Sequence, residues 1–111
     1  MNKVTKITAA AVIGLTLLSS SAMADSAKGQ KLYIKKMKEV CGKTGAVFAA
    51  SHSQMEWEVA KDEGKLTEMM IEECPAGADL IKSDKFQSKF KSHIYDFVYD
   101  FANDSGNVPS C

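Results

Sequence analysis

Apolar side chains recur along this chain at steps of three and four, the spacing that a 3.6-residue period gathers onto one helical face. Gly29, Leu32, Tyr33, Met37 and Val40 form the first such stripe, with Lys28, Lys31, Lys35 and Lys38 falling mostly opposite. The pattern predicts an amphipathic surface helix, capped by Ser26 and ended by Gly42 and Gly45. Ser53 followed by Glu56 has the form of a capping box. It opens a predicted short helix carrying Met55, Trp57, Val59 and Ala60, with Gly64 as its stop. Thr67 is placed to cap a second short helix that runs to Cys74, where Pro75 and Gly77 end it. A loop is expected from Ala76 to Asp84. The clearest stripe is the last: Phe86, Phe90, Ile94, Phe97, Val98 and Phe101, flanked by Tyr95 and Tyr99, with Ser83 or Asp84 as cap. Asn103-Asp104-Ser105-Gly106-Asn107 breaks that helix. With no repeat, no linker and no convincing strand, the predicted fold class is all-α, about four helices around one core.

The first 24 residues stand apart. Lys3 and Lys6 precede an apolar run from Ile7 to Leu18, and Ala22-Met23-Ala24 supplies small residues before Asp25. This is the layout of a secretory signal peptide, with an apolar run too short for a bilayer core. The expected product is a periplasmic protein, residues 25–111, forming one helical domain with no transmembrane segment. Removing 24 of the 111 residues leaves 87. So small a domain buries little apolar surface and commonly needs a staple or a cofactor. The chain has 14 lysines, no arginine and 14 acidic residues. Once Lys3 and Lys6 are gone the balance is slightly acidic, which gives no electrostatic footprint for nucleic acid. Without arginine there is no bidentate fork for phosphate or carboxylate.

Cys41, Cys74 and Cys111 are the only cysteines. In an exported chain, one disulfide and one remaining thiol is the default, and the sequence leaves all three pairings open. No pair is spaced Cys-x-x-Cys, which removes the common thiol-oxidoreductase and zinc-knuckle motifs.

Gly29 is an odd member of a buried stripe, since glycine costs about 1 kcal/mol relative to alanine in a helix. Gly29-Gln30-Lys31-Leu32-Tyr33, the Gly42-Lys43-Thr44-Gly45 turn, Trp57, Gly64-Lys65 and the aromatic last helix together resemble a class I cytochrome c. The resemblance implies a small cytochrome c-like bundle whose amino- and carboxy-terminal helices cross, with Gly29, Tyr33, Ile94 and Phe97 packed at the crossing. Covalent haem attachment in that family needs Cys-x-x-Cys-His just before the glycine turn. Here those positions read Met37-Lys38-Glu39-Val40-Cys41, so both attachment cysteines are missing and Cys41 stands where the histidine would be. The expectation is a haem-less scaffold whose centre is refilled by Met37, Met55, Met69, Met70, Phe48 and Trp57, with a Cys41–Cys74 bridge as one way to close the slot.

Candidate chemistry is sparse. His52 and His93 are the only histidines. His52, Met69 and Met70 are weak candidates for holding haem noncovalently, and Cys41 is a weak candidate metal ligand. Adjacent helical positions do not share a face, so Met69 and Met70 are expected to part, one into the core. Glu56, Glu58, Asp62, Glu63, Glu68, Glu72 and Glu73 could form a negative face for a basic partner, or simply solvate exposed turns. Tyr95 and Tyr99 read first as boundary packing with wet hydroxyls, and second as a contact patch. No catalytic constellation is present in the pattern, and no enzyme activity is expected. The function expected is a non-catalytic binding or accessory component that meets a periplasmic or envelope redox protein. The alternatives are an electron-transfer protein with noncovalent haem and a periplasmic copper-handling protein.

Overall fold

Two long helices, each interrupted by one π-helical turn, carry seven of the sixteen buried side chains among the described residues. The computed structural model describes residues 25–109. The predicted signal peptide and Cys111 lie outside the described residues. Helix α1 covers residues 25–41, π-helical over Tyr33–Met37 and α-helical again over Lys38–Cys41. Four short helices follow: α2 (Gly45–Ala49), α3 (Gln54–Asp62), α4 (Leu66–Glu73) and α5 (Ala78–Lys82), the last entered through a 3-10 turn at Pro75–Gly77. Helix α6 covers residues 84–100, π-helical over Phe86–Phe90 and α-helical over Lys91–Asp100. The described residues are all-helical and contain no strand. Six helices replace the expected four, because residues 45–49, for which the pattern predicts no element, and the expected loop at 76–84 each wind a helix too short to display a repeat.

The π turns have a physical cause in the sequence. Gly29, Tyr33, Met37 and Cys41 follow one another at a constant step of four, as do Phe86, Phe90, Ile94 and Val98. Four residues of an α-helix overshoot a full circle by about 40°, so such a stripe would wind off its face within three steps. A π turn, with about 4.4 residues per turn, undershoots by a similar angle and brings the stripe back. Tyr33, Met37, Phe86, Ile94 and Val98 accordingly remain buried.

Helix ends follow local chemistry. Gly42 closes α1 in the left-handed region (φ 69°), where a side chain would be strained. Thr44 caps α2, its Oγ1 accepting from the Val47 N–H. At α3 both halves of the Ser53–Glu56 capping box are made. Ser83 accepts the Phe86 N–H at the start of α6. Two expected caps are corrected. Ser26 lies inside α1, buried, and its hydroxyl bonds the Asp100 carboxylate and the Asp96 carbonyl of α6. Thr67 lies inside α4, which begins at Leu66, and its hydroxyl meets Gln87.

The core is aromatic at its centre. The Tyr33 ring lies 5.0 Å from Phe48 and 6.1 Å from Phe97, and Phe48 lies 6.0 Å from Trp57. Both polar rings of this cluster have a partner: Tyr33 donates to the Lys43 carbonyl at 2.8 Å and Trp57 to the Ala49 carbonyl at 3.0 Å. Met37, Met70, Cys74, Ile81, Phe86, Ile94 and Val98 pack around them. Two expected core members are outside it. Val40 is 39% exposed, and Met55, expected as filler, is 71% exposed. A single helical face cannot bury both Met55/Val59 and Trp57/Ala60, and the larger aromatic takes the inside.

Helices α1 and α6 meet at Gly29. A Cβ there would stand 1.9 Å from the His93 carbonyl oxygen and 2.8 Å from the Phe97 Cβ. The missing side chain therefore sets the separation of the two backbones. Ile94, one position from His93, is buried on the same helix.

Candidate functional site

Cys41 ends α1 and Cys74 follows α4, and the two are joined in a disulfide with a Cα–Cα distance of 5.0 Å. Cys74 is buried at 1% exposure, and Gly77 and Val40 pack around the bridge. The bridge therefore ties the end of α1 to the end of α4. A disulfide sulfur does not ionise, so Cys41 offers no thiolate to a metal.

His52 is engaged on both sides of its ring. Nε2 lies 3.2 Å from Glu73 Oε2, Nδ1 lies 3.8 Å from Glu56 Oε1, and the ring stands edge-on to Trp57 at 5.0 Å. Glu73 is also 3.6 Å from the Lys43 ammonium. The result is a small ionic cluster that ties the start of α3 to the end of α4. Met69 and Met70 part as their adjacency requires: Met70 is fully buried, while Met69 lines an outer depression. His52, Met69 and Met70 thus face three different surroundings, and they do not form a pair of axial ligands about a flat cleft. The side chains present do not fit a haem, because the middle of the domain is taken up by Tyr33, Phe48, Trp57 and Met70. Among the described residues no group of three or more His, Cys, Asp or Glu could hold a metal ion.

The surface between α3 and α4 has a different character. Ser53, Met55, Glu56, Val59 and Met69 line an open depression of about 330 Å³. Met55 and Val59 stand one turn apart on α3, 71% and 44% exposed. Glu56 is the acid in its lining, and the two helices that form the depression are rich in others. Residues 54–73 hold seven acidic residues, Glu56, Glu58, Asp62, Glu63, Glu68, Glu72 and Glu73, against two lysines, Lys61 and Lys65. Lys61 is turned away, its ammonium 4.6 Å from the Tyr95 ring, and Lys65 is 3.7 Å from Glu63. Among the described residues no ion pair joins Glu58, Asp62, Glu68 or Glu72 to a lysine. The Ser53 backbone N–H bonds the Glu56 carboxylate and holds its pKa below the ordinary 4.5, so the charge at the lip of the depression persists.

The field of α3 reaches the last helix. Burial first, and then Glu58, Tyr99, Asp62 and Asp96, push the Tyr95 hydroxyl up to about 12. Tyr95 and Tyr99 pair at 5.9 Å on the boundary of the core. Sequence reasoning identified these acids but missed the groove, having assigned Met55 to the interior. The i, i+4 spacing of Met55 and Val59 against the i, i+3 spacing of Trp57 and Ala60 was the available signal.

No family model, curated protein or solved structure matches the chain. No helix of the described residues is long and apolar enough to cross a membrane.

Proposed function

We propose that this chain is an exported, periplasmic cytochrome c-like protein without haem, working as a non-catalytic binding component of an envelope redox system. The Cys41–Cys74 bridge carries the reading: the residue standing in the haem ligand's place is used as a staple instead. Two further features support it. The close approach of α1 and α6 at Gly29 suits the crossing of terminal helices in that family. The aromatic cluster of Tyr33, Phe48, Trp57 and Phe97 gives the domain a centre of its own. What remains for function is surface, and the least ordinary surface is the acidic, methionine-bearing face of α3 and α4.

Absorbance spectroscopy of the purified exported protein, before and after titration with hemin, tests the reading. A colourless protein that takes up no hemin is expected. A Soret band at one haem per chain would overturn it in favour of electron transfer through noncovalent haem.

A further inference from the structure

Resting on that reading, we propose that the groove between α3 and α4 is the docking site for a basic amphipathic helix of a partner protein. Its floor is apolar, its lip is acidic, and an occupant must satisfy both at once. Met55, Val59 and Met69 present flexible or branched apolar groups around a volume of about 330 Å³, enough to accept one large aliphatic or aromatic side chain. Methionine adapts its shape to what enters, which suits a surface that receives a side chain from outside.

The surrounding charge selects the partner. Seven acids and two lysines give residues 54–73 a formal charge of −5, and both lysines are drawn off, one onto Tyr95 and one onto Glu63. Glu58 and Asp62 fall one turn and two turns from Met55 on α3, and Glu72 falls one turn from Met69 on α4. A helix that places an apolar residue in the groove brings its own i±3 and i±4 neighbours over these carboxylates. Lysine or arginine at those positions pairs with the lip. Acidic or neutral helices would leave the carboxylates uncompensated or repelled, so the lip also rejects wrong partners. Long-range attraction speeds the encounter, and the apolar floor sets the residence time.

Fluorescence anisotropy with a labelled 14-residue peptide of leucine and lysine in an amphipathic helical order tests the proposal. A second peptide of identical composition in scrambled order reports charge alone. The ordered peptide is expected to bind the oxidised mature protein at least about tenfold tighter than the scrambled one. Met55→Ser with Val59→Ser is expected to remove about that factor, and Glu58→Lys with Asp62→Lys to weaken binding and flatten its salt dependence. All four positions are exposed, and thermal unfolding of each variant confirms that the fold is kept. Equal binding of the two peptides, or indifference to the Met55/Val59 variant, would overturn the proposal while leaving the haem-less reading to its own spectrum. Sedimentation of the protein alone is expected to show a monomer. Self-association abolished by the Met55/Val59 variant would overturn the proposal too, by assigning the groove to a second copy.

Discussion

Gly29→Ala places one methyl group where α1 and α6 touch, and the structure fixes both the sign and the size of the effect. The new Cβ would stand 1.9 Å from the His93 carbonyl oxygen, against an ordinary contact of 3.4 Å or more. The backbones must therefore part by about 1.5 Å, and neither obstacle is a flexible side-chain end. Phe97 Cβ, at 2.8 Å, blocks escape along the seam. Overpacking of this kind costs about 1–3 kcal/mol and sometimes more. Parting the helices also loosens the Tyr33–Phe97 packing. Helix propensity acts in the opposite direction, favouring alanine over glycine by about 1 kcal/mol. With the overpacking cost at the upper end of its range, the net expected loss is about 2 kcal/mol. For a domain of this size that lowers Tm by roughly 8–16 °C, taking about 4–8 °C per kcal/mol. Thermal unfolding followed by circular dichroism reads the change, with Ala27→Gly, at an exposed position of the same helix, measuring the propensity contribution alone. A Tm unchanged or raised in Gly29→Ala would refute the contact, since propensity would then act without opposition.

Other outcomes follow from the same packing. Reducing Cys41–Cys74, or replacing both residues by alanine, reopens a loop of 33 residues and is expected to cost about 3–4 kcal/mol in the chain-entropy model, read from chemical denaturation. A thiol count on the mature protein in denaturant without reductant is expected to give one reactive group per chain. Burial pushes the Tyr33 hydroxyl from 10.0 to about 12, so its neutral form favours the folded state. That contribution is complete below pH 10 and is lost as pH rises towards 12. Tyr33→Phe is expected to flatten the fall in Tm over this alkaline range. It should also cost about 1 kcal/mol at neutral pH for the lost bond to the Lys43 carbonyl.

How far the fold can be read from the sequence depends on the length of each pattern. The stripe from Phe86 to Phe101 spans more than four turns, and α6 is there. The Ser53–Glu56 box is a local arrangement, and it forms as its chemistry dictates. Gly45–Ala49 and Ala78–Lys82 hold five residues each, too few for a period to appear, so the pattern predicts no helix at either. The π turns lay in plain view as four-residue steps at Gly29-Tyr33-Met37-Cys41 and Phe86-Phe90-Ile94-Val98. A simple count of three-and-four spacings does not separate them from an α-helix.

The groove was hidden for a different reason. Hydrophobicity alone sends Met55 inward, and only the competition between Met55/Val59 and Trp57/Ala60 for one inner face reverses that. Similarly, Ser26 has the chemistry of a cap, yet a residue 74 positions away, Asp100, takes its hydroxyl. Burial holds the Asp100 carboxyl above its ordinary value, with Asp96 and Asp25 adding to the effect. Long-range contacts of this kind leave no mark in a local pattern.

Native mass spectrometry of the exported protein, isolated without reductant, tests the central claim most directly. One species with the mass of residues 25–111 less two hydrogens is expected, carrying a single disulfide and nothing else bound. A species heavier by one haem, or one lacking the disulfide mass deficit, would contradict it.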